Sequence, residues 1–74
     1  MTIREVLARN LKAFRRSAGV SQEELADRAA VDRTYVSALE NCRYAVSIDT
    51  LDRLAVALGV EARDLLERTL LPPS

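Results

Sequence analysis

The residues with the greatest chemical reach lie between Gln22 and Asn41, in the run QEELADRAAVDRTYVSALEN. Within it Arg33, Thr34, Ser37 and Asn41 are spaced so that a helix gathers them on one face. A guanidinium, two hydroxyls and an amide on one face make a hydrogen-bonding surface suited to reading the edges of bases. Arginine pairs with O6 and N7 of guanine through two parallel bonds, worth about 1–3 kcal/mol of discrimination against a wrong base. Catalysis lacks its parts. Histidine, the commonest general base, is absent. The single cysteine, Cys42, excludes an intramolecular disulfide and the usual zinc set. No glycine-rich phosphate loop and no converging pair of carboxylates is present, so neither an enzyme, a metal nor a cofactor is expected. Cys42 beside Arg43 reads as an incidental loop cysteine rather than a reactive thiol.

Such a face must be held outward by neighbouring helices, and helical period dominates the chain. Ile3, Val6, Leu7, Leu11, Phe14 and Ala18 form one stripe, predicting helix one over about Ile3 to Ser17, stopped near Gly19. Helix two is announced by Ser21 and Glu24 in a capping box, with Val20 and Leu25 as its hydrophobic staple. Asp32 caps helix three, which runs from Arg33 to Glu40 or Asn41. Only Ala30, Val31 and Asp32 separate helices two and three, a turn short enough to cross them steeply. Close approach needs a small side chain, which Ala26 supplies, and Leu25, Val31, Val36 and Leu39 fill the angle. Asn41 to Val46 reads as a loop. Ser47 caps helix four, with Leu51, Leu54, Ala55 and Leu58 inward and Gly59 at its end. A fifth short helix is expected over about Glu61 to Thr69, poorly capped by Glu61.

The chain has 74 residues, one domain near the lower size limit for a self-supporting core, so help from a partner subunit is expected. With 49% hydrophobic and 30% charged residues it has the profile of a folded domain. Two glycines and two prolines leave little room for a turn-rich β fold. No apolar run approaches the ~20 residues of a membrane span and no signal peptide is visible, which implies a cytoplasmic protein without a membrane partner. Net charge is zero, yet the charges are segregated. Arg4, Arg9, Lys12, Arg15 and Arg16 face only Glu5 in residues 1–20, whereas Glu23, Glu24, Asp27, Asp32 and Glu40 outnumber Arg28 and Arg33 in residues 21–40. Separated charges permit contact with a polyanion despite the zero sum.

Three stretches in order, VSQEELADRA, DRTYVSALEN and IDTLDRLAVALGV, resemble the helix-turn-helix family of the phage repressors, over about Leu11 to Leu66. DRTYVSALE is also similar to the small controller proteins of restriction–modification systems. The resemblance implies an all-α, five-helix, lambda-repressor-like domain over 1–74, with helix two at about 22–29, a recognition helix at about 33–41 and a dimerisation segment at about 60–71. It further implies a homodimer bound to double-stranded DNA at a near-palindromic operator. Three positions depart from the family pattern. Ala30 stands where glycine is usual in the turn, and a non-glycine residue at positive φ costs roughly 1 kcal/mol or more. Cys42 stands where glycine often ends the recognition helix, and Val46 where proline is common.

By the resemblance, Arg33, Thr34, Ser37 and Ala38 face the major groove, with Ala38 able to touch a thymine methyl; Arg33 is alternatively a solvated first-turn charge paired with Asp32, and Ala38 alternatively plain helix surface. Gln22 opens helix two, where exposed amides and the helix dipole favour a phosphate; family members also use it to brace a recognition-helix side chain. Asn41, Arg43 and Tyr44 follow the recognition helix and are placed for backbone contact, Tyr44 alternatively as a packed loop anchor. Tyr35 either stacks on the sugar–phosphate edge or packs on helix four. Arg15 and Arg16 either add phosphate contacts or form a solvated face. Glu23 and Asp27, one turn apart, either solubilise helix two or touch RNA polymerase, as matching positions do in activating family members. Leu65, Leu66, Leu70 and Leu71 are expected at a two-fold interface, unless Leu65 and Leu66 complete the core. The rival to DNA binding is an antitoxin-like protein-interaction module on the same fold.

Overall fold

The computed structural model describes residues 1–68 and contains α1 (Ile3–Ser17), α2 (Gln22–Ala29), α3 (Arg33–Glu40), α4 (Ile48–Leu58) and a 3-10 helix at Ala62–Leu66. The fold is all-α, and the described residues hold no strand. Each α-helix opens where a side-chain oxygen can replace the missing backbone acceptor. Thr2 and Ser21 accept from Glu5 N and Glu24 N at 3.2 and 3.0 Å, and the two glutamates answer on the cap amides at 2.7 and 3.3 Å. Asp32 accepts from Thr34 N at 2.8 Å, and Ser47 from Thr50 N at 3.1 Å.

The four α-helices also end alike. Gly19, Ala30, Cys42 and Gly59 adopt φ values of 70°, 58°, 60° and 71°. In each case the next residue's N–H reaches back five positions: Val20 to Arg15, Val31 to Ala26, Arg43 to Ala38 and Val60 to Ala55, at 2.9–3.1 Å. This is the reverse turn that satisfies orphan carbonyls at a helix end. A methyl added at Gly19 or Gly59 would meet nothing within 4 Å, so the backbone angle rather than space calls for glycine there. Ala30 and Cys42 carry that angle with a Cβ and bear its strain.

The fifth helix departs from expectation. It is a 3-10 turn of five residues rather than an α-helix to Thr69. Glu61 offers no side-chain cap to a segment this short, and Asp64 instead accepts from Glu61 N at 3.1 Å. Residues 69–74, with the end of the expected helix, lie outside the described residues.

α2 packs on α3 and α4, while α1 packs on α3 and the 3-10 turn. Leu25, Val36, Leu54 and Leu65 are fully buried where these elements meet, and Ala26 is 2% exposed. Leu65 therefore completes the core. Asn10 and Glu40 are the buried polar side chains among the described residues; Asn10 faces the 3-10 turn. Fully buried, it donates through Nδ2 to the carbonyls of Leu65 (3.1 Å) and Glu67 (2.8 Å), while Arg9 donates to those of Glu67 and Arg68 at 3.3 and 2.8 Å. The segment after the 3-10 turn is thus tied to α1 through its own backbone carbonyls.

Relief of the left-handed strain is testable. Ala30→Gly is expected to raise unfolding free energy by about 0.5–1 kcal/mol, net of glycine's added chain entropy. Chemical denaturation reads it; a loss of stability would show that the turn is not strained as described.

Candidate nucleic-acid interface

α3 presents its N-terminal end to solvent. Arg33 and Thr34 are exposed and Ser37 half-buried, and the three line one shallow hollow. Asp32 uses its carboxylate as the helix cap, and no described ion pair engages Arg33. At about 100° per residue, Ser37 falls between Arg33 and Thr34, with Asn41 beside them on the same face. Asn41 is exposed and donates from Nδ2 to Ser37 O at 2.8 Å, closing the last turn.

Ala38 does not share this face. It lies about 140° around from Arg33 and is only 8% exposed, so it packs beside the core rather than meeting a thymine methyl.

Arg15 is placed otherwise than as a phosphate contact. Its Nε and Nη2 donate to the two carboxylate oxygens of Glu40 at 2.6 and 3.0 Å, and its Nη1 to Val20 O at 3.0 Å. The Glu40 side chain is 1% exposed and that of Arg15 12%. The bonded carboxylate pushes the Arg15 pKa above its ordinary value, and three of the five guanidinium N–H donors are engaged. Arg16, one residue on, is exposed. Gln22, half-buried at the start of α2, donates from Nε2 to Glu40 Oε1 at 3.1 Å. Arg15, Ser21, Gln22, Glu23 and Arg33 line an open hollow between the beginnings of α2 and α3.

The loop after α3 is held by aromatics. Tyr35 stacks on Tyr44 with ring centroids 6.2 Å apart, and its hydroxyl donates to Ala45 O at 3.3 Å. Tyr35 thus braces the loop that carries Arg43 and Tyr44, both exposed. Glu23 and Asp27 are exposed on α2. Of the four candidate interface leucines, Leu65 is core and Leu66 half-buried, while Leu70 and Leu71 lie outside the described residues. Among the described residues no cluster of His, Cys, Asp or Glu suits a metal ion, and no helix is long and apolar enough to cross a membrane.

Glu40 and Asn10 were missed by the sequence reading, although each leaves a signal. A glutamate in the last turn of a helix sits at the unfavourable end of the dipole and asks for a cation. An asparagine four residues after Val6 and three after Leu7 interrupts an apolar stripe and asks for buried acceptors.

Two crossed helices with a small residue at the contact, the second presenting its polar end outward, define a helix-turn-helix protein. Residues 11–65 match the family described as Helix-turn-helix, and the chain belongs to it. It is 48% identical over 71 residues to a protein of Neisseria meningitidis described as a hypothetical transcription factor, matching 96% of this chain but only 63% of that relative's length. It is 38% identical over 68 residues to the control protein C.SmaI of Serratia marcescens, covering 92% of this chain and 81% of the relative. Among solved structures, the restriction–modification controller protein C.AhdI of Aeromonas hydrophila superposes with a TM-score of 0.82 at 35% identity, over 84% of this chain and 94% of that one.

The buried pair yields a clear expectation. Arg15→Ala should cost about 3 kcal/mol of stability, because it strands a carboxylate in the interior, whereas Arg16→Ala should stay within about 0.5 kcal/mol. Thermal or urea unfolding compares them; equal, small effects would return Arg15 to the solvated surface.

Proposed function

We propose that this chain is a sequence-specific DNA-binding transcription regulator, acting as a homodimer on a near-palindromic operator, in the manner of a restriction–modification controller. The observation that carries the reading is the exposed, unpaired Arg33 at the head of α3, beside Thr34 and Ser37 on a face its neighbours leave open. Arg33 reads guanine; Thr34 and Ser37 contact neighbouring base edges; Arg43, Tyr44, Asn41 and Arg16 hold the backbone. Similarity to the controller proteins favours the narrower assignment.

A second copy is the occupant proposed for an apolar groove beside this surface. Its walls are Ile3, Leu7, Tyr44, Ile48, Leu51 and Leu66, and Ile48 is 83% exposed. Leu66, of the 3-10 turn, and Tyr44, of the loop after α3, border it. A two-fold contact here carries one recognition helix on each side, for half-sites about 34 Å apart. Linked dimerisation and DNA binding then make occupancy depend on protein concentration.

Selection of bound sites from random DNA is expected to return a palindromic sequence with a steep salt dependence of affinity. Against that site Arg33→Ala should lose about 1–3 kcal/mol and tolerate substitution of one guanine per half-site. No specific site at low salt would favour the protein-interaction module instead. Ile48→Asp should sediment as a monomer at micromolar concentration; an unaltered dimer would move the interface elsewhere.

A further inference from the structure

Past Leu65 the chain is held by its backbone rather than by buried side chains. Glu67 and Arg68 are exposed, yet four polar contacts grip this segment. The two hydrogens of Asn10 Nδ2 serve carbonyls on either side of Leu66, Leu65 O at 3.1 Å and Glu67 O at 2.8 Å. Asn10 Oδ1 accepts from Arg9 Nε at 3.2 Å, so acceptors on one arm and a donor on the other admit one orientation of the amide. Nη2 of the same guanidinium reaches Glu67 O and Arg68 O at 3.3 and 2.8 Å. Arg68 in turn donates from Nη1 to Met1 O at 2.6 Å, just ahead of α1. Ile3 and Leu7 of α1 and Leu66 of the 3-10 turn are walls of the apolar groove beside Tyr44 and Ile48. The grip therefore joins two of the chain segments that form those walls.

We propose that Arg9 and Asn10 are positioning residues for self-association: by holding the backbone on both sides of Leu66, they set the groove wall on which a second copy packs, and Arg68 ties that wall to the start of α1. The inference rests on the reading of this groove as the two-fold interface. Neither Arg9 nor Asn10 lines the groove, so neither need touch the partner to act. Leu66 is only half-buried in a turn of five residues, which by itself gives a side chain little fixed direction. A wall ordered in the free chain avoids the entropy cost of ordering it on contact.

The test is sedimentation equilibrium of Arg9→Ala, Leu66→Ala and the double variant. Arg9→Ala should weaken the dimer by about tenfold, while in the Leu66→Ala background the same change should cost less than about twofold. Equal losses in the two backgrounds would show that Arg9 does not act through Leu66 and would overturn the proposal. Arg9→Lys keeps the charge but places every donor on one atom, and so cannot hold Asn10 Oδ1 and the two carbonyls together. It should behave as Arg9→Ala does; full dimerisation with lysine would mean that charge alone matters, against the proposal. Should Arg9→Ala fail to fold, Arg68→Ala removes only an exposed tie and should still weaken the dimer by about threefold. An unchanged constant for that variant would sink the idea. A wild-type chain that stays monomeric up to millimolar concentration would remove the two-fold reading and this proposal with it, whereas a wild-type dimer indifferent to Arg9 would remove the proposal alone.

Discussion

The arrangement of the first three helices depends on one buried carboxylate. Glu40 lies in the last turn of α3, where the helix dipole opposes a negative charge. It is also withdrawn from water, so it requires a cation at bonding distance. Arg15 meets that need from the last turn of α1, where the dipole favours a positive charge, and spends its remaining arm on Val20 O in the turn leading to α2. One ion therefore fixes α1 against α3 and the α1–α2 turn against both. Buried pairs of this kind add little net stability over well-packed apolar residues. Their effect here is geometric: slippage of α3 along α1 breaks the two-bond pairing of Arg15 with Glu40 and leaves the carboxylate to less well placed partners.

α1 carries a second polar clamp at Asn10, five residues before Arg15. Its amide holds the carbonyls of the C-terminal segment, as Arg15 holds the carboxylate of α3. The helix is thus pinned at its middle to the 3-10 turn and near its end to α3. Both clamps use side chains whose donors match fixed acceptors, and the described residues contain no buried side-chain polar atom without a partner. A small core with few large side chains gains a defined geometry from such satisfied contacts, because each misplacement carries the full cost of an unmade hydrogen bond.

What the sequence disclosed was local. Ser21 with Glu24, Asp32 two residues before Thr34, and Gly59 before Val60 each declare a helix boundary within one turn of chain, and those boundaries stand where expected. Ala30 at a position needing positive φ was legible because backbone strain is also local. The site was less readable, because its two decisive pairings join residues 25 and 18 positions apart. Arg15 resembled any arginine on a solvated face until Glu40 stood opposite it. Ala38, only 8% exposed, lies at the margin of the α3 face, where a turn of a few tens of degrees decides between surface and core. Glu40 lies at the other margin, and there Gln22 and Arg15 cover it.

Zero net charge is often read as unsuited to nucleic acid, but the field at a surface depends on where charges stand and how they are compensated. Glu5, Glu24 and Asp32 sit at helix N-termini, whose partial positive charge offsets part of theirs. Glu40 is buried against Arg15, a pair that presents little field outward. Arg16, Arg33 and Arg43 remain exposed on elements next to the reading face. The zero sum therefore does not describe the local field at the open end of α3, which is set by Arg33 and by the way its neighbouring carboxylates are spent on a cap or buried in an ion pair.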